Sequence, residues 1–142
     1  MAFERVFTIW DYWDGPRSGI ASYVGEPHYY KCGESEEGYS DEFFLAPVSA
    51  ETFSLAMEQW AIWRDWEAAF HRGEVPESTH PALPGSNQRY AKIQALLDSQ
   101  LSQLPHHRRK ARARFRAEQG QANTPKGVLR ELEVEWLEQT SG

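Results

Sequence analysis

The sequence is poor in cysteine, with a single residue, Cys32, among 142. One cysteine excludes an internal disulfide and any zinc site built from several thiolates of one chain, and it is typical of a reducing compartment. Long apolar runs are also missing, since none approaches the roughly 18–20 residues that a membrane-spanning helix needs. The first residues, MAFERVF, have neither the basic start nor the apolar centre of a signal peptide. We therefore expect a soluble, cytoplasmic protein.

What the sequence does contain is typical of a folded chain. Hydrophobic residues make up 40%, aromatic residues 13% and charged residues 25% of the chain, and there are six tryptophans. Disordered chains have few aromatics and a high net charge, so this composition predicts a packed core. A length of 142 residues suits one domain. We predict a single domain with a β-meander at 1–48, two helices joined by a proline-rich connector at 49–105, and a C-terminal hairpin at 106–142.

The first third of the chain alternates in the manner of β-strands. Residues 3–13 are apolar on both alternating sides, which predicts a buried strand at the centre of a sheet. The segment DGPRSG, residues 14–19, carries the aspartate, proline and glycines of a turn. Three further strands are predicted at IASYV, HYYKC and EFFLAPV, separated by the turn GEP and the polar loop GESEEGYSD. The pattern predicts a four-stranded meander.

Two helices are predicted in the middle of the chain. Ser49 occupies the position of an N-cap, and apolar residues recur at helical spacing over 50–72. A second helix, over 87–104, carries a leucine-rich face and ends at a proline. Three of the six tryptophans lie on the first helix: Trp60 and Trp63 on its broad apolar face, and Trp66 at the side where that face continues.

Two segments near the C terminus alternate strictly. In KARARFRAE the arginines face one side, and in LRELEVEWLE glutamates alternate with apolar residues. Antiparallel pairing would set cations opposite acids, and such cross-strand pairs contribute about 0.2–1 kcal/mol each. The predicted ladder joins Arg112, Arg114 and Arg116 to Glu131, Glu133 and Glu135. The elements together predict an α+β fold: a curved, barrel-like antiparallel sheet of a four-strand meander plus a C-terminal β-hairpin, packed against a long tryptophan-rich helix and a second helix.

Charge is distributed unevenly along the chain. The net charge is −6, yet the segment HHRRKARARFR at 106–116 contains six cations and no acidic residue. Such a run raises nucleic acid as a partner. The ladder is a sufficient explanation for its alternating part, so we do not expect nucleic-acid binding, and binding through 108–116 is kept as a weaker alternative. The residues that the ladder does not explain are Arg108, Arg109 and Lys110, with His106 and His107 beside them.

One pair on the long helix is a candidate for acid–base catalysis. Glu67 and His71 are four residues apart and can touch on one helix face. A carboxylate that orients an imidazole is the minimum equipment for general acid–base chemistry, and His80 in THPALP can fold back toward it. The alternative is a salt-bridged helix rim with His71 near the C-terminal end of the helix dipole. These residues, with His28, do not follow a recognised metal-ligand spacing, so neither a metal nor a cofactor is predicted.

The tryptophans supply a candidate binding surface. Tryptophan is rarely wholly buried and is enriched at interfaces, so one or two of the six rings are expected at the surface. We predict a groove lined by Trp13, Tyr30 and Trp63. The alternative is that these rings pack in the core, where each buries about 150–250 Å².

Arg17 is the candidate polar group of that groove. Beside Trp13 and Tyr12 it can stack on a ring and present its guanidinium to a carboxylate or phosphate. Asp11 and Asp14 are equally available to it, and a local salt bridge to one of them is the alternative. The candidate binding residues are Arg17, Trp13, Tyr12, Asp14, Tyr30 and Trp63.

Several segments together resemble a known family. These are WDYWDGPRSGIASYVGEPHYY, the tryptophan-rich helix running into EAAFHRGE, the THPALP segment and the closing LEVEW. They are similar to segments of a family of small uncharacterised bacterial proteins, over most of the chain. The resemblance implies a bacterial, cytoplasmic protein. It implies no activity, cofactor or catalytic residue, because none is assigned to that family.

Two functional hypotheses from different classes follow. The first is a non-catalytic binding or interaction module whose aromatic groove, edged by Arg17, takes a protein, a peptide or a small anionic ligand. The second is a small hydrolase or transferase that uses His71 with Glu67. We prefer the first, because the sequence indicates exposed aromatic surface without a convergent acid–base set and without a neighbouring nucleophile.

Overall fold

The structure is a computed structural model that describes residues 2–12, 15–35, 38–104, 109–118, 129 and 131–138. Five residues that the sequence singles out lie outside the described residues: Trp13, Asp14, His106, His107 and Arg108. Within the described part the elements are β1 (Glu4–Arg5), β2 (Asp11–Tyr12), β3 (Pro16–Tyr23), β4 (Glu26–Ser35), β5 (Gly38–Pro47), α1 (Ala50–His71), a 3-10 turn (Glu77–Thr79), α2 (Gln88–Ser102), β6 (Arg109–Ala117) and β7 (Leu132–Glu138).

The strands form one antiparallel sheet in the order β1-β7-β6-β5-β4-β3-β2. Strands β2 to β5 follow one another as a meander, and β6 and β7 form a hairpin that pairs with β5. The sheet curves into a half-barrel, and two helices complete an α+β fold. The predicted fold class, including the meander and the C-terminal hairpin, is confirmed.

The N-terminal segment departs from the prediction of one central strand, which is wrong. Its first part, β1, pairs with β7, whereas Val6 bridges Ala21 of β3 and β2 pairs with β3 at the other end of the sheet. The segment crosses close over β3, because a Cβ on Gly19 would lie 2.1 Å from the carbonyl oxygen of Thr8. That carbonyl accepts a hydrogen bond from the Tyr30 hydroxyl at 2.9 Å instead of continuing a regular ladder. One short segment thus bonds to strands at both ends of the sheet.

Strand β3 starts earlier than predicted and changes the setting of Arg17. Pro16 to Gly19, predicted as part of a turn, already belong to β3, and Ser18 pairs with Lys31 of β4. Gly15, with φ of 118°, precedes the strand. Arg17 therefore lies in a strand and not at the tip of a loop.

The concave side of the sheet is filled by aromatic rings. Tyr30, Phe43, Phe115 and Trp136 come from four strands, and their ring centroids lie 5.7–6.2 Å apart. Trp136 is 3% exposed and donates its indole N–H to the backbone oxygen of Ser22 at 2.9 Å. We call these four rings the barrel cluster, and their close contact makes this the main core of the protein.

The helices pack on the sheet through a second core. Ile20 of β3 meets Ala56 of α1 and Ile93 and Leu97 of α2, and all four are fully buried. Both helices begin at side-chain caps, because Ser49 accepts from the backbone N–H of Thr52 and Asn87 from that of Tyr90. The observed helices agree with the predicted ones to within two residues, and the predicted cap at Ser49 is confirmed.

Two rungs of the predicted charge ladder are confirmed. Arg114 pairs with Glu135, and Arg116 pairs with Glu133 at 2.7 Å, across β6 and β7. The third predicted rung is wrong, because register places Arg112 opposite Leu137, and its guanidinium binds Asp41 of β5 at 2.6 Å. No helix in the described part of the chain is long and apolar enough to cross a membrane.

Candidate functional site

A cavity of about 260 Å³ lies where the N-terminal segment, both helices and the connector between them meet. Helix α1 contributes Gln59, Trp60 and Trp63, which share one side of the helix because they are one and four residues apart. Ile9 and Trp10 come from the N-terminal segment, His80 and Ala82 from the connector, and Tyr90 from α2. We call this space the tryptophan cavity. Four separate segments converge on it, as is common for small-molecule sites.

Aromatic rings form most of the wall. Trp60 and Trp63 stack on each other with centroids 5.1 Å apart and planes 27° apart. Trp10 packs against Tyr29 of β4 at 6.0 Å. The guanidinium carbon of Arg64 lies 5.8 Å from the centroid of Trp60, so one ring of the wall already has a cation beside it.

The indole N–H groups divide into two kinds. Trp66 donates to the hydroxyl of Thr79 at 2.9 Å, and Trp136 donates to a backbone oxygen. Within the described residues, the indole N–H groups of the other three tryptophans donate to no protein acceptor. Those three are the tryptophans that line the cavity: Trp10, Trp60 and Trp63.

Gln59 is the buried polar group of the wall and is 2% exposed. Its Nε2 donates to Gln94 Oε1 at 2.9 Å and lies 3.5 Å from the backbone oxygen of Tyr90. Gln94 Nε2 in turn donates to Asp98 Oδ1 at 2.9 Å. In the described part of the chain, no donor reaches Gln59 Oε1, and because Gln59 lines the cavity this amide oxygen is a candidate acceptor for a ligand.

Two further polar side chains border the cavity. Burial raises the pKa of the Tyr90 hydroxyl, which therefore stays protonated at neutral pH. The Nδ1 atom of His80 accepts from the backbone N–H of Ala82 at 3.1 Å, which places the proton of the neutral ring on Nε2. The His80 ring leans on Trp66 with centroids 4.5 Å apart. Apart from histidine, the described lining consists of side chains that are uncharged at neutral pH.

The members of the predicted aromatic groove that the structure describes are not brought together. Tyr30 is fully buried in the barrel cluster, so it does not line a surface. Tyr12 is 57% exposed, and Trp63 belongs to the tryptophan cavity. Arg17 donates to the sulfur of Cys32 at 3.6 Å. Trp13 and Asp14, the remaining members, lie outside the described residues.

The predicted acid–base pair is not assembled either. Glu67 is 5% exposed and accepts hydrogen bonds from Arg64 at 2.6 Å and from the backbone N–H of Leu129 at 3.0 Å. His71 is exposed at the end of α1, where its ring meets the edge of Phe70 at 5.3 Å. Glu67 and His71 share no hydrogen bond or ion pair among the described residues. Through these contacts, Glu67 connects α1 to the segment that precedes β7, which is a structural role.

Among the described residues, no three His, Cys, Asp or Glu side chains lie close enough together to hold a metal ion. His28 lies at another cavity, of about 400 Å³ and more open, between β3, β4 and β6. Its Nδ1 lies 2.9 Å from the backbone oxygen of Glu26, and its ring packs edge-on against that of Tyr23, with centroids 5.1 Å apart. Arg109 covers the other side of this space, 5.6 Å above the Tyr23 ring.

The described residues of the basic run form ion pairs with acidic residues of the neighbouring strands. Lys110 pairs with Glu42 at 3.8 Å and lies 5.1 Å from the ring of Phe44. The arginines of the ladder bind acids on β5 and β7. Nucleic-acid binding through 108–116, which the sequence does not favour, stays an untested alternative, and these contacts supply a structural reason for the charges that does not need it.

Trp63 was predicted as a binding residue from the sequence, whereas its companions at the cavity were not: Trp10, Gln59, Trp60 and Tyr90. One signal for this site was present in the sequence. Gln59 interrupts the apolar face of α1 between Ala56 and Trp63, and a polar residue at such a position needs a partner or a purpose. The contribution of Tyr90 depends on how α2 docks and had no local signal.

Comparison with known protein families, curated proteins and solved structures finds no match to this chain. The resemblance to small bacterial proteins therefore stays a prediction from the quoted segments.

Proposed function

We propose that this protein is a non-catalytic binding module and that the tryptophan cavity is its binding site. The proposal keeps the class of function that the sequence favours and moves the site from Arg17 to the cavity. A bacterial, cytoplasmic setting belongs to the proposal through the sequence resemblance alone.

The observation that carries the proposal is the contrast between tryptophans on the same scaffold. Trp66 and Trp136 use their indole N–H groups within the protein. The three cavity tryptophans do not, within the described residues, and because their rings are only partly buried these N–H groups remain available to a ligand. Concave aromatic walls with a few open polar groups are typical of small-ligand sites. The contrast therefore supports a ligand that supplies the missing acceptors.

The cavity volume supports a small ligand. About 260 Å³ is below the range of about 300–1,000 Å³ typical of pockets for drug-sized molecules. The acid–base alternative has less support, because Glu67 is engaged by Arg64 and by a backbone N–H. A catalytic pair would need a carboxylate free to orient the imidazole of His71.

A test of the site uses the tryptophans as reporters. We expect small planar fragments, added to protein labelled with ¹⁵N at tryptophan, to shift the Nε1–H signals of Trp10, Trp60 and Trp63 and not that of Trp136. Trp60→Leu should lower the affinity of such a fragment by at least about tenfold, because an aromatic wall is lost. Trp66→Leu, on the same helix, should change it by less than about threefold.

Two results would contradict the proposal. One is a fragment library in which no compound shifts the three cavity signals. The other is a bound fragment whose affinity is unchanged in Trp60→Leu. Arg17→Ala separates the cavity from the predicted groove: we expect unchanged binding, and a loss of binding without unfolding would return the site to Arg17.

A further inference from the structure

The tryptophan cavity also indicates which ligand it takes, and we propose a neutral nitrogen heterocycle of one or two rings whose ring N–H donates a hydrogen bond to Gln59 Oε1. This inference rests on the proposed function, because it names the ligand class of the same cavity. It is drawn from the orientation of one buried amide, from the shape of the wall and from the charges around it.

The orientation of the Gln59 amide is set by a chain of hydrogen bonds. A carboxylate only accepts, so Asp98 requires Gln94 to present Nε2 to it. Gln94 then turns Oε1 toward Gln59, whose Nε2 donates to it. Reversing the Gln59 amide would set its oxygen against Gln94 Oε1 and the Tyr90 carbonyl, two acceptors. The atom of the Gln59 amide that has no partner is therefore the acceptor Oε1, which a ligand donor can bind.

A donor from the ligand would complete the hydrogen bonding of this amide. The Gln59 side chain is 2% exposed, and its oxygen has no partner among the described protein donors, although it is not sealed from water. A ligand N–H supplies that partner, whereas an N-methyl group at the same place would leave the oxygen unpaired and crowd it. The cavity should therefore separate two ligands that differ only in this group.

The wall suits a flat ring. Trp10, Trp60, Trp63 and Tyr90 present aromatic surface, and a planar ring packs against it by stacking or edge contacts. The indole N–H groups are donors, so ring nitrogens or carbonyl oxygens on the ligand would complement them. A volume of about 260 Å³ suits one ring or two fused rings.

The charges disfavour an ionic ligand. Arg64 already lies beside the Trp60 ring, where a ligand cation would otherwise bind, and the described lining offers that cation no carboxylate. An anion would face the oxygen of Gln59, which repels it. A neutral ligand with both donors and acceptors meets neither obstacle.

The first measurement compares matched ligands by NMR titration. Indole and uracil carry ring N–H groups, and 1-methylindole and 1,3-dimethyluracil lack them. We expect at least one N–H compound to shift the three cavity signals and to bind at least about tenfold more tightly than its methylated partner. N-acetyltryptophanamide is included as the same ring carried by a peptide. Tighter binding than that of indole would assign the ring to a peptide partner, and weaker binding to a free metabolite; either supports the ligand class.

Variants test the amide directly. Gln59→Met keeps the side-chain length and removes the acceptor, so the preference for N–H over N-methyl should disappear. Asp98→Asn leaves Gln59 in place but allows the chain of amides to reverse, and the preference should fall by about threefold or more. Asp98 is exposed, so this variant should fold normally. Asp65→Asn, an exposed change of the same kind on α1, should leave the preference unchanged.

The possible results distinguish the ligand class from the binding site itself. Equal binding of the N–H and N-methyl compounds at the cavity signals would overturn the ligand class and leave the binding site standing. An undiminished preference in Asp98→Asn and Gln59→Met would overturn the role of Gln59. If neither these compounds nor plain aromatic fragments shift the cavity signals, the ligand class and the proposed function both fail.

Discussion

The protein has two aromatic regions that use the same residue types in opposite ways. In the barrel cluster, Tyr30 and Trp136 donate their polar hydrogens to backbone oxygens, and three of the four rings, those of Tyr30, Phe43 and Trp136, are buried. In the tryptophan cavity the rings are only partly buried, and their N–H groups find no acceptor in the described chain. The number of tryptophans does not distinguish a core from a site. The completeness of their hydrogen bonding does.

A stability comparison should separate the two regions most strongly. Trp136→Ala removes a ring that three other rings contact and leaves a void in the barrel cluster, and it should lower the free energy of unfolding by about 3–5 kcal/mol. Trp63→Ala removes a half-buried ring that stacks on Trp60 at the cavity, and about 1–2 kcal/mol is expected. Urea denaturation followed by circular dichroism measures both.

Equal losses would contradict the division into a sealed core and an open site. A loss for Trp63→Ala as large as for Trp136→Ala would make the cavity wall part of the core, and its unpaired indole N–H groups would need another explanation.

A second comparison concerns the helix that connects the regions. Glu67 fixes α1 to the chain before β7, through Arg64 and the backbone N–H of Leu129. Glu67→Ala leaves the backbone N–H of Leu129 without its acceptor, while Arg64 keeps the Leu129 carbonyl and Glu131, and the variant should lower the free energy of unfolding by about 1–3 kcal/mol. His71→Ala, one helical turn further on, should change it by less than about 0.5 kcal/mol, because the residue is exposed.

The same pair of variants tests the catalytic alternative. If His71 worked with Glu67, the two substitutions would have similar consequences for any activity, whereas a structural tie predicts that only Glu67→Ala affects stability. A marked loss of stability in His71→Ala would show that the two side chains depend on each other after all.

Much of the fold was predictable because its signals are local. Alternation in KARARFRAE and LEVEWLE fixes strands, and Ser49 marks the start of α1. The split of the N-terminal segment was not predictable, because it depends on Gly19 meeting the Thr8 carbonyl when the sheet curves. Apolar residues on both alternating sides of residues 3–13 fit a central strand equally well.

The site was less predictable than the fold. The alternation in HYYKC does not say which tyrosine faces the barrel, so Tyr30 could be assigned to a groove although the structure buries it completely. Gln59 is a polar residue on an apolar helix face, a local signal that was not used to predict a site. The orientation of its amide depends on Gln94, which Asp98 orients within α2 and which only the packing of α2 on α1 brings to Gln59. A site of this kind rests on contacts between residues far apart in the chain.

The smallest expected effect concerns the carboxylate of Glu4, which joins β1 to the end of β3 and the β3–β4 turn. Burial alone would raise the pKa of Glu4, but hydrogen bonds from the backbone of Gly25, the hydroxyl of Ser22 and the backbone of Val24 outweigh it and hold the pKa below the ordinary 4.5. A carboxyl whose pKa is lowered on folding stabilises the fold above its unfolded pKa, and this contribution is lost as the pH falls through the folded value. Glu4→Gln should therefore reduce the melting temperature slightly at pH 7, and the difference from the unmodified protein should shrink below about pH 4.5. Because β1 and the β3–β4 turn lie beside the barrel cluster and not at the cavity, fragment binding should be the same in both proteins. A difference in melting temperature that stays constant from pH 7 to pH 3 would show that the carboxylate is not what secures this turn.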